Sequence, residues 1–152
     1  MLREAPKTVV AKGFTEALSA AGNVVADQVV RRCPVKKEDT GGLLERGELR
    51  EAVMVAVQLD SQFRGGVANI GFMNKATASV AMWVEWGHRM VVPGGYYFDD
   101  RGRKRQGTHV RDVPAHPFMR PAADESGDRA IDAFAQSISR TVRENFPQGA
   151  TP

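Results

Sequence analysis

The stretch Ala115-His116-Pro117-Phe118-Met119-Arg120-Pro121-Ala122 decides how the second half of this chain folds. Two prolines lie four residues apart around an apolar pair and an arginine, and an alanine-rich segment with helical spacing follows. Pro117 biases His116 toward an extended conformation, whereas Pro121 at the first helical position loses no backbone hydrogen bond. The pattern predicts an extended segment that enters a helix at Pro121.

A second short stretch, Val84-Glu85-Trp86-Gly87-His88, is also a junction and lacks the pattern of an active site. We expect it to close the central strands. Between the two stretches, in residues 89–113, the composition changes to glycine, proline, tyrosine and charged residues. Asp99-Asp100-Arg101-Gly102 predicts a turn between extended segments. The sequence thus predicts an inserted loop or β-arm over 89–113, long enough to suggest a function.

Helical periodicity dominates both ends of the chain. From about Thr8 to Arg32 the apolar residues recur at steps of three and four, and the last helix is expected to run to about Asn145. The predicted inward faces are Val10, Phe14, Leu18, Ala21, Val25 and Val29 in the first helix and Ile131, Phe134, Ile138 and Val142 in the last. The first helix would span roughly 37 Å, so we expect part of it to pack against a neighbouring subunit.

The middle of the chain predicts a small antiparallel sheet. Residues 53–59 alternate between apolar and other residues, Gly65-Gly66 interrupts the pattern, and 67–73 alternate again, which is typical of a hairpin. A turn is expected at 39–42 and a short helical turn within 43–50. Residues 76–86 fit a helix or a strand, and the helix is preferred.

These elements predict an α+β fold: a long N-terminal helix, a small antiparallel sheet, an extended loop or β-arm and a C-terminal helix. We expect one domain over residues 1–152, with a frayed tail from about 146. The only cysteine is Cys33, so no disulfide forms within the chain, which suits a reducing compartment. No signal peptide or membrane-spanning run is visible, so no membrane association is expected.

The candidate catalytic and metal-binding residues lack supporting patterns. His88, His109 and His116 lie in one third of the chain, but without a helical histidine pair or a cysteine pair they read as isolated loop residues. Cys33 next to Pro34 is expected to be a small buried apolar residue. For Glu85 an ion pair or a cap is favoured over acid–base chemistry. We therefore predict no catalytic residue, cofactor or metal site.

The basic segment of the arm is its most informative polar feature. Cations follow aromatic residues within ten positions, a mixture typical of nucleic-acid-binding surfaces: Tyr96, Tyr97 and Phe98, then Arg101, Arg103, Lys104 and Arg105. Three aspartates, Asp99, Asp100 and Asp112, partly neutralise the charge. A solvated hairpin tip is the preferred interpretation, and direct contact with DNA stays open.

Three blocks in order resemble the putative tail-component family of tailed bacteriophages, small neck proteins that join head to tail. Cys33-Pro34-Val35 with Asp39-Thr40-Gly41 is similar to the family's "APv…dTG.L" run, residues 81–87 are similar to "YA..VEfG", and residues 117–122 are similar to "PF.rPA". The likeness covers most of the chain outside 89–113. The chain departs from the family at Val80, Trp86 and His88, where tyrosine, phenylalanine and threonine are usual.

The resemblance implies a non-enzymatic virion protein, made in the host cytoplasm and located in the neck. It implies a homo-oligomeric ring, a hexamer, between the head-closure or adaptor protein and the tail terminator. The interface candidates are Glu85, Trp86, His88, Tyr96, Tyr97, Phe98, Phe118 and Arg120, with an ion pair expected between Glu85 and Arg120. Arg101, Arg103, Lys104 and Arg105 are candidates for contact with genomic DNA in the channel.

Two alternative functions remain at this stage. One is a nucleic-acid-binding module that uses residues 101–105 of the arm. The other is a small hydrolase or nuclease that uses Glu85 with His88 and His116, although no motif places these three groups together.

Overall fold

The computed structural model describes residues 7–36, 43–62, 65–99 and 101–145; within these, the side chains at 92, 93, 95, 97 and 108–110 are left out of the description. The expected turn at 39–42 and the expected tail from 146 lie outside the described residues. The elements in chain order are α1 Lys7–Arg32, α2 Glu48–Glu51, β1 Val53–Leu59, β2 Gly66–Phe72, α3 Lys75–Trp86, β3 His88–Phe98, β4 Lys104–Val113 and α4 Met119–Asn145. The α+β class and the predicted order of elements are confirmed.

The two long helices α1 and α4 pack against each other in antiparallel fashion. Gly13 lies against Thr141 near one end of the pair, and Gln28 donates a hydrogen bond to Glu125 near the other. Arg32 also binds Glu125 through its guanidinium group. A side-chain methyl group added at Gly13 would lie 2.7 Å from Thr141 Cγ2, so the close approach depends on a residue without a Cβ.

The buried face of α4 differs from the predicted one. Ile131 and Val142 are exposed, whereas Ala122, Ser126 and Ser137 are buried. Small residues at this contact let the two backbones come close, and larger apolar side chains are displaced to the flanks of the helix. The predicted inward face of α1 is confirmed in part: all six of its residues are at least partly buried. The most buried positions of α1 are nevertheless mostly small residues outside that set, namely Gly13, Ala17, Gly22 and Ala26, together with the predicted Val29.

Strands β1 and β2 form the predicted antiparallel hairpin, with Val55 opposite Ile70. The hairpin packs on α1, where Gly22 lies against Val55. Below it, the core cluster comprises Val29, Cys33, Leu49, Ala81, Phe118 and Ala122 and so draws on all four helices. Phe118 also meets Phe72 edge to face, with ring centroids 6.3 Å apart.

Residues 75–86 form a helix, as preferred from the sequence, because Asn74 caps its first turn. The Asn74 side chain accepts a hydrogen bond from the Thr77 backbone N–H, and the Thr77 hydroxyl meets the Asn74 backbone N–H in return. This reciprocal pair satisfies two donors that a helix start leaves unpaired. The stretch 84–88 therefore ends a helix, and the expectation that it closes the central strands is wrong.

The predicted arm at 89–113 is an antiparallel hairpin of β3 and β4, which together cover 88–113. A register shift between Val92 and Gly95 interrupts the pairing, and Gly94 there has φ +69°. Each strand packs chiefly against the other, so the arm extends away from the helices. None of the helices in the described ranges is long and apolar enough to cross a membrane.

Candidate assembly site at the base and tip of the arm

The base of the arm is the point where the last turn of α3 meets the first turn of α4. Glu85 is only 5% exposed, and its carboxylate faces the start of α4. One oxygen, Oε2, accepts hydrogen bonds from the backbone N–H groups of Phe118 and Met119 at 2.7 and 2.9 Å. The other, Oε1, accepts the N–H of Arg120 at 3.2 Å. Glu85 therefore caps α4 from a different helix.

Capping keeps this carboxyl group ionised. Burial alone would raise the pKa of Glu85, but the N–H groups of Met119, Phe118 and Arg120, together with the Arg120 charge, outweigh burial, so the pKa of Glu85 lies below its ordinary value. The positive end of α4 adds a favourable field for an anion at this position. The group is a fixed anionic acceptor, and a lowered pKa does not suit a general acid.

Pro121 is the third residue of α4, so its predicted place at the first helical position is wrong by two residues. The helix begins earlier because Glu85 satisfies the N–H groups at its start, which the local sequence alone leaves open. Pro121 still fits, since the N–H that it lacks belongs to the same unpaired first turn. The first bond within the helix runs from the Ala122 N–H to the Phe118 carbonyl.

The ion pair predicted between Glu85 and Arg120 is present, with Arg120 Nε 3.6 Å from Glu85 Oε1. The Arg120 guanidinium also lies over the Trp86 ring, 3.8 Å from its centroid. Such cation–π contacts are most favourable on tryptophan. Trp86 itself is 63% exposed, so the arginine covers one ring face and leaves much of the indole accessible.

Gly87 brings the two ends of the arm together. It has φ +74° and ψ 170°, and a Cβ added there would lie 2.7 Å from the Val113 carbonyl oxygen and 2.9 Å from the Ala115 nitrogen. The His116 N–H then donates to the Val84 carbonyl at 2.7 Å. The chain therefore leaves α3 and returns toward α4 within contact distance of itself.

The described parts of the three histidines make separate contacts. His88 stacks on Trp83, with centroids 5.4 Å apart, and its buried Nδ1 has no hydrogen-bond partner among the described residues. The His116 N–H anchors the returning chain, and the side chain of His109 lies outside the description. In the described ranges, no group of three or more His, Cys, Asp or Glu residues is arranged to hold a metal ion.

The tip of the arm has two unlike faces. Tyr96 and Phe98 are two residues apart on β3, and the residues opposite them on β4 are Gln106 and Lys104. Residues directly opposite each other share a face, and Lys104 Nζ does lie over the Tyr96 ring at 4.3 Å. We call Tyr96, Phe98 and Lys104 the aromatic face. Tyr96 is 64% and Phe98 71% exposed.

The other face of the tip carries two arginines that pair with one aspartate. Asp99 Oδ2 lies 3.1 Å from Nε of both Arg103 and Arg105, and its Oδ1 accepts the backbone N–H groups of Arg101 and Arg103. The Arg103 N–H makes the largest contribution to lowering the pKa of Asp99, and both guanidinium groups act in the same direction. Two of the four predicted DNA contacts are thus paired within the chain. Tyr97 is opposite Arg105 in the backbone register, and its side chain lies outside the description.

Cys33 is 1% exposed, as expected of a small core residue. Burial raises the pKa of its thiol to about 11, which the charge of Arg50 only partly opposes. A thiol in this state is protonated at neutral pH and therefore unreactive.

Sequence reasoning missed an apolar groove next to the base of the arm. The groove has a volume of about 350 Å³ and is lined mainly by Val35, Leu43, Leu44, Leu49, Val80 and Val84, with Glu45 among its polar residues. The one local signal in the sequence for this groove is the apolar pair Leu43-Leu44, which follows two glycines and precedes a charged run. The stacking of Trp83 on His88 was also missed.

Comparison of the chain with family models, with curated proteins and with solved structures finds no match.

Proposed function

We propose that this protein is a non-enzymatic structural subunit of the tailed-phage neck, located in the virion. In this proposal, copies of the chain form a ring, a hexamer, between the head-closure or adaptor protein and the tail terminator. The observation that carries the proposal is an arm that packs chiefly on itself, displays exposed aromatic side chains, and is rooted in a buried capped junction. The resemblance of three sequence blocks to neck proteins supports a location of this protein in the neck.

The base of the arm supports this role because its polar groups hold the end of α3 against the start of α4. Glu85, the candidate general acid or base of the hydrolase alternative, is buried, and both its oxygens accept hydrogen bonds from the start of α4. An arm that makes a specific contact with a neighbouring protein needs a base that holds it in a fixed position. The geometry favours an assembly protein over the hydrolase that would use Glu85, His88 and His116.

Exposed apolar side chains give further support. Exposed large apolar side chains are most frequent in α3 and the arm, and they include Met82, Trp86, Met90, Tyr96 and Phe98. Exposed aromatic residues such as Trp86, Tyr96 and Phe98 are of the type that is enriched in protein interfaces. A ring subunit would cover them in its contacts with neighbouring copies and with the adjacent neck proteins.

The test is direct imaging of assembly. The full chain is purified and examined by negative-stain electron microscopy and mass photometry, alone and with the head-closure and tail-terminator proteins from the same genome. We expect closed rings, either alone or on mixing, and the chain in purified virions. A chain that stays monomeric with every neck protein and is absent from virions would refute the proposal.

A second candidate function, binding of nucleic acid, is favoured by one observation. Residues 88–113 contain six arginines and lysines and three aspartates, so this segment carries the full net charge of +3 of the chain. A basic projection with aromatic residues is suited to phosphate and base contacts, within a DNA channel or elsewhere. The pairing of Arg103 and Arg105 with Asp99 reduces the charge available for such contacts.

Fluorescence anisotropy with labelled double- and single-stranded DNA tests this second candidate. If it is correct, affinity decreases steeply with added salt and is reduced by Arg101→Ala and Lys104→Ala. The matched control is Arg143→Ala, an exposed arginine at the far end of α4. Absence of binding at low salt would exclude the candidate and leave the arm as a protein-contact element.

A further inference from the structure

We propose that the aromatic face of the arm docks into the apolar groove of a neighbouring copy of the same chain. This inference rests on the self-assembly in the proposed function and specifies which two surfaces meet. Both surfaces are on one chain, and in the isolated subunit neither is covered by another described element.

The donor surface is small and strongly apolar. Tyr96 and Phe98 project from the same side of β3, and both are exposed over most of their area. Aromatic side chains of this kind are frequent anchors in protein interfaces, because each buries a large area at a small cost in conformational entropy. Lys104 lies beside them and gives the face one positive charge.

The acceptor surface has a matching character. The groove lies between the segments around Val35 and Leu44 and the helix α3, and its volume of about 350 Å³ is at the lower end of the range for ligand pockets. Its walls are mainly aliphatic, and Leu43 at its edge is 70% exposed. Such a groove suits one or two aromatic rings.

The length of the arm explains why the occupant comes from another copy. Phe98 is ten strand positions beyond His88, which places it about 33 Å from the base of the arm. The groove adjoins that base, because Val80 and Val84 in its wall belong to the helix from which the arm departs. In the subunit both rings are exposed and its own groove is left without them, and an arm of this length reaches about the width of a domain to a neighbour.

Charge favours the same pairing. The aromatic face carries Lys104, and the groove is lined by two opposite charges, the exposed carboxylate of Glu45 and the ammonium group of Lys36, which donates to the Leu44 carbonyl. Two arginines of the arm, Arg103 and Arg105, belong to the opposite face, where Asp99 pairs with both. A docked Lys104 can therefore pair with Glu45, while the aliphatic walls give both aromatic rings the apolar partner that a polyanion lacks.

Docking of this kind joins two different surfaces of identical chains. Such a contact is head-to-tail, and repeated copies of it generate a closed ring or an open filament. The arm–groove contact is therefore a direct route to the ring of the proposed function.

Cross-linking with a short bis-maleimide tests the contact in the full-length chain. Phe98→Cys and Leu43→Cys are made as separate proteins, and Cys33 is left in place because it is buried and protonated. We expect a cross-linked dimer when the two proteins are mixed, and a ladder of oligomers from the double variant. Arg105→Cys on the opposite face is the matched control and should give little product with Leu43→Cys.

Self-association of Phe98→Ala, measured by sedimentation velocity, provides a second readout. We expect at least a tenfold loss of affinity between subunits, whereas Ile131→Ala, which removes an equally exposed apolar side chain from α4, should change it little. Circular dichroism and the urea midpoint verify that both variants are folded.

The possible failures are distinguishable. Rings without the Phe98–Leu43 cross-link, or a cross-link confined to one chain, would overturn this inference and leave the neck assignment standing. Cross-linked ladders from a chain that joins no neck protein would support the contact and refute the neck assignment. Loss of DNA binding in Phe98→Ala with unchanged self-association would overturn the inference in favour of a nucleic-acid contact. A chain that neither cross-links nor assembles would overturn both proposals.

Discussion

A carboxylate oxygen of Glu85 lies 2.7 Å from the backbone nitrogen of Phe118 and joins the last turn of α3 to the first turn of α4. The arm is the segment between these two elements. One buried side chain therefore ties the start of the C-terminal helix to the helix from which the arm departs.

Replacement of the Glu85 carboxylate should destabilise the fold. Glu85→Gln keeps the size of the side chain but presents an NH₂ donor to a group of N–H donors and removes the charge beside Arg120. We expect the free energy of unfolding to fall by about 2 to 3 kcal/mol, measured by urea denaturation at neutral pH. Glu144→Gln, at an exposed site in the last turn of α4, should change it by less than about 0.5 kcal/mol. Equal effects at both sites would contradict the capping role.

The same carboxylate should make the protein sensitive to acid. The pKa of Glu85 is lowered in the folded state, so as pH falls the unfolded chain takes up the proton first and stability decreases. This contribution is complete above the ordinary glutamate pKa of about 4.3 and is lost as pH falls through the lowered folded value. Urea midpoints measured from pH 7 downward should therefore decrease less steeply in Glu85→Gln than in the wild type. Parallel curves would show that Glu85 does not contribute.

Gly87 should tolerate no side chain. Its φ of +74° with ψ 170° lies in a region that only glycine readily occupies, and an added Cβ would also meet the Val113 carbonyl at 2.7 Å. We expect Gly87→Ala to cost about 3 kcal/mol of unfolding free energy. Gly94→Ala, with φ +69° but nothing within 4 Å of the new Cβ, should cost only about 1 kcal/mol. The difference in unfolding free energy between the two variants measures the cost of the close contact between residue 87 and the Val113 carbonyl. Similar losses in both variants would show that this contact is not limiting.

Two helical glycines should respond in opposite directions. A Cβ at Gly22 would lie 2.6 Å from Val55 Cγ1, in the contact between α1 and β1, so Gly22→Ala should lose about 1 to 3 kcal/mol. Gly127 in α4 has open space around the added Cβ, and Gly127→Ala should gain about 0.5 to 1 kcal/mol from its higher helix propensity. Thermal and urea unfolding of both variants provide the measurement. Stabilisation at Gly22 would indicate a looser helix–sheet contact than described.

Local sequence patterns predicted the elements well because periodicity and turn residues act over short distances. The helix of 7–32, the hairpin of 53–72 and the arm were all expected from such signals, and the Glu85–Arg120 ion pair was expected from two neighbouring junctions. The buried face of α4 was not predicted correctly. The close packing of α1 and α4 buries small residues, whereas periodicity alone favours the larger apolar ones.

The contacts of the candidate site depend on residues that are distant in the chain. Glu85 caps a helix that begins more than thirty residues later, and that cap moves the start of α4 ahead of Pro121. The groove likewise combines the segment near Leu44 with the side of α3. No pattern within a short window contains either relationship, so only the assembled fold reveals them.

The narrow gap at Gly87 has a consequence for how the chain can vary. The two strands of the arm leave and return at one place, where Gly87 contacts Val113 and Ala115 and the His116 N–H donates to Val84. The packing of the helices therefore depends on this contact and not on the length or composition of the arm beyond it. The arm is in this sense a module: residues can be added to or removed from its tip in pairs without a change in the body. The length and surface of the arm can then change while the core of the protein stays the same.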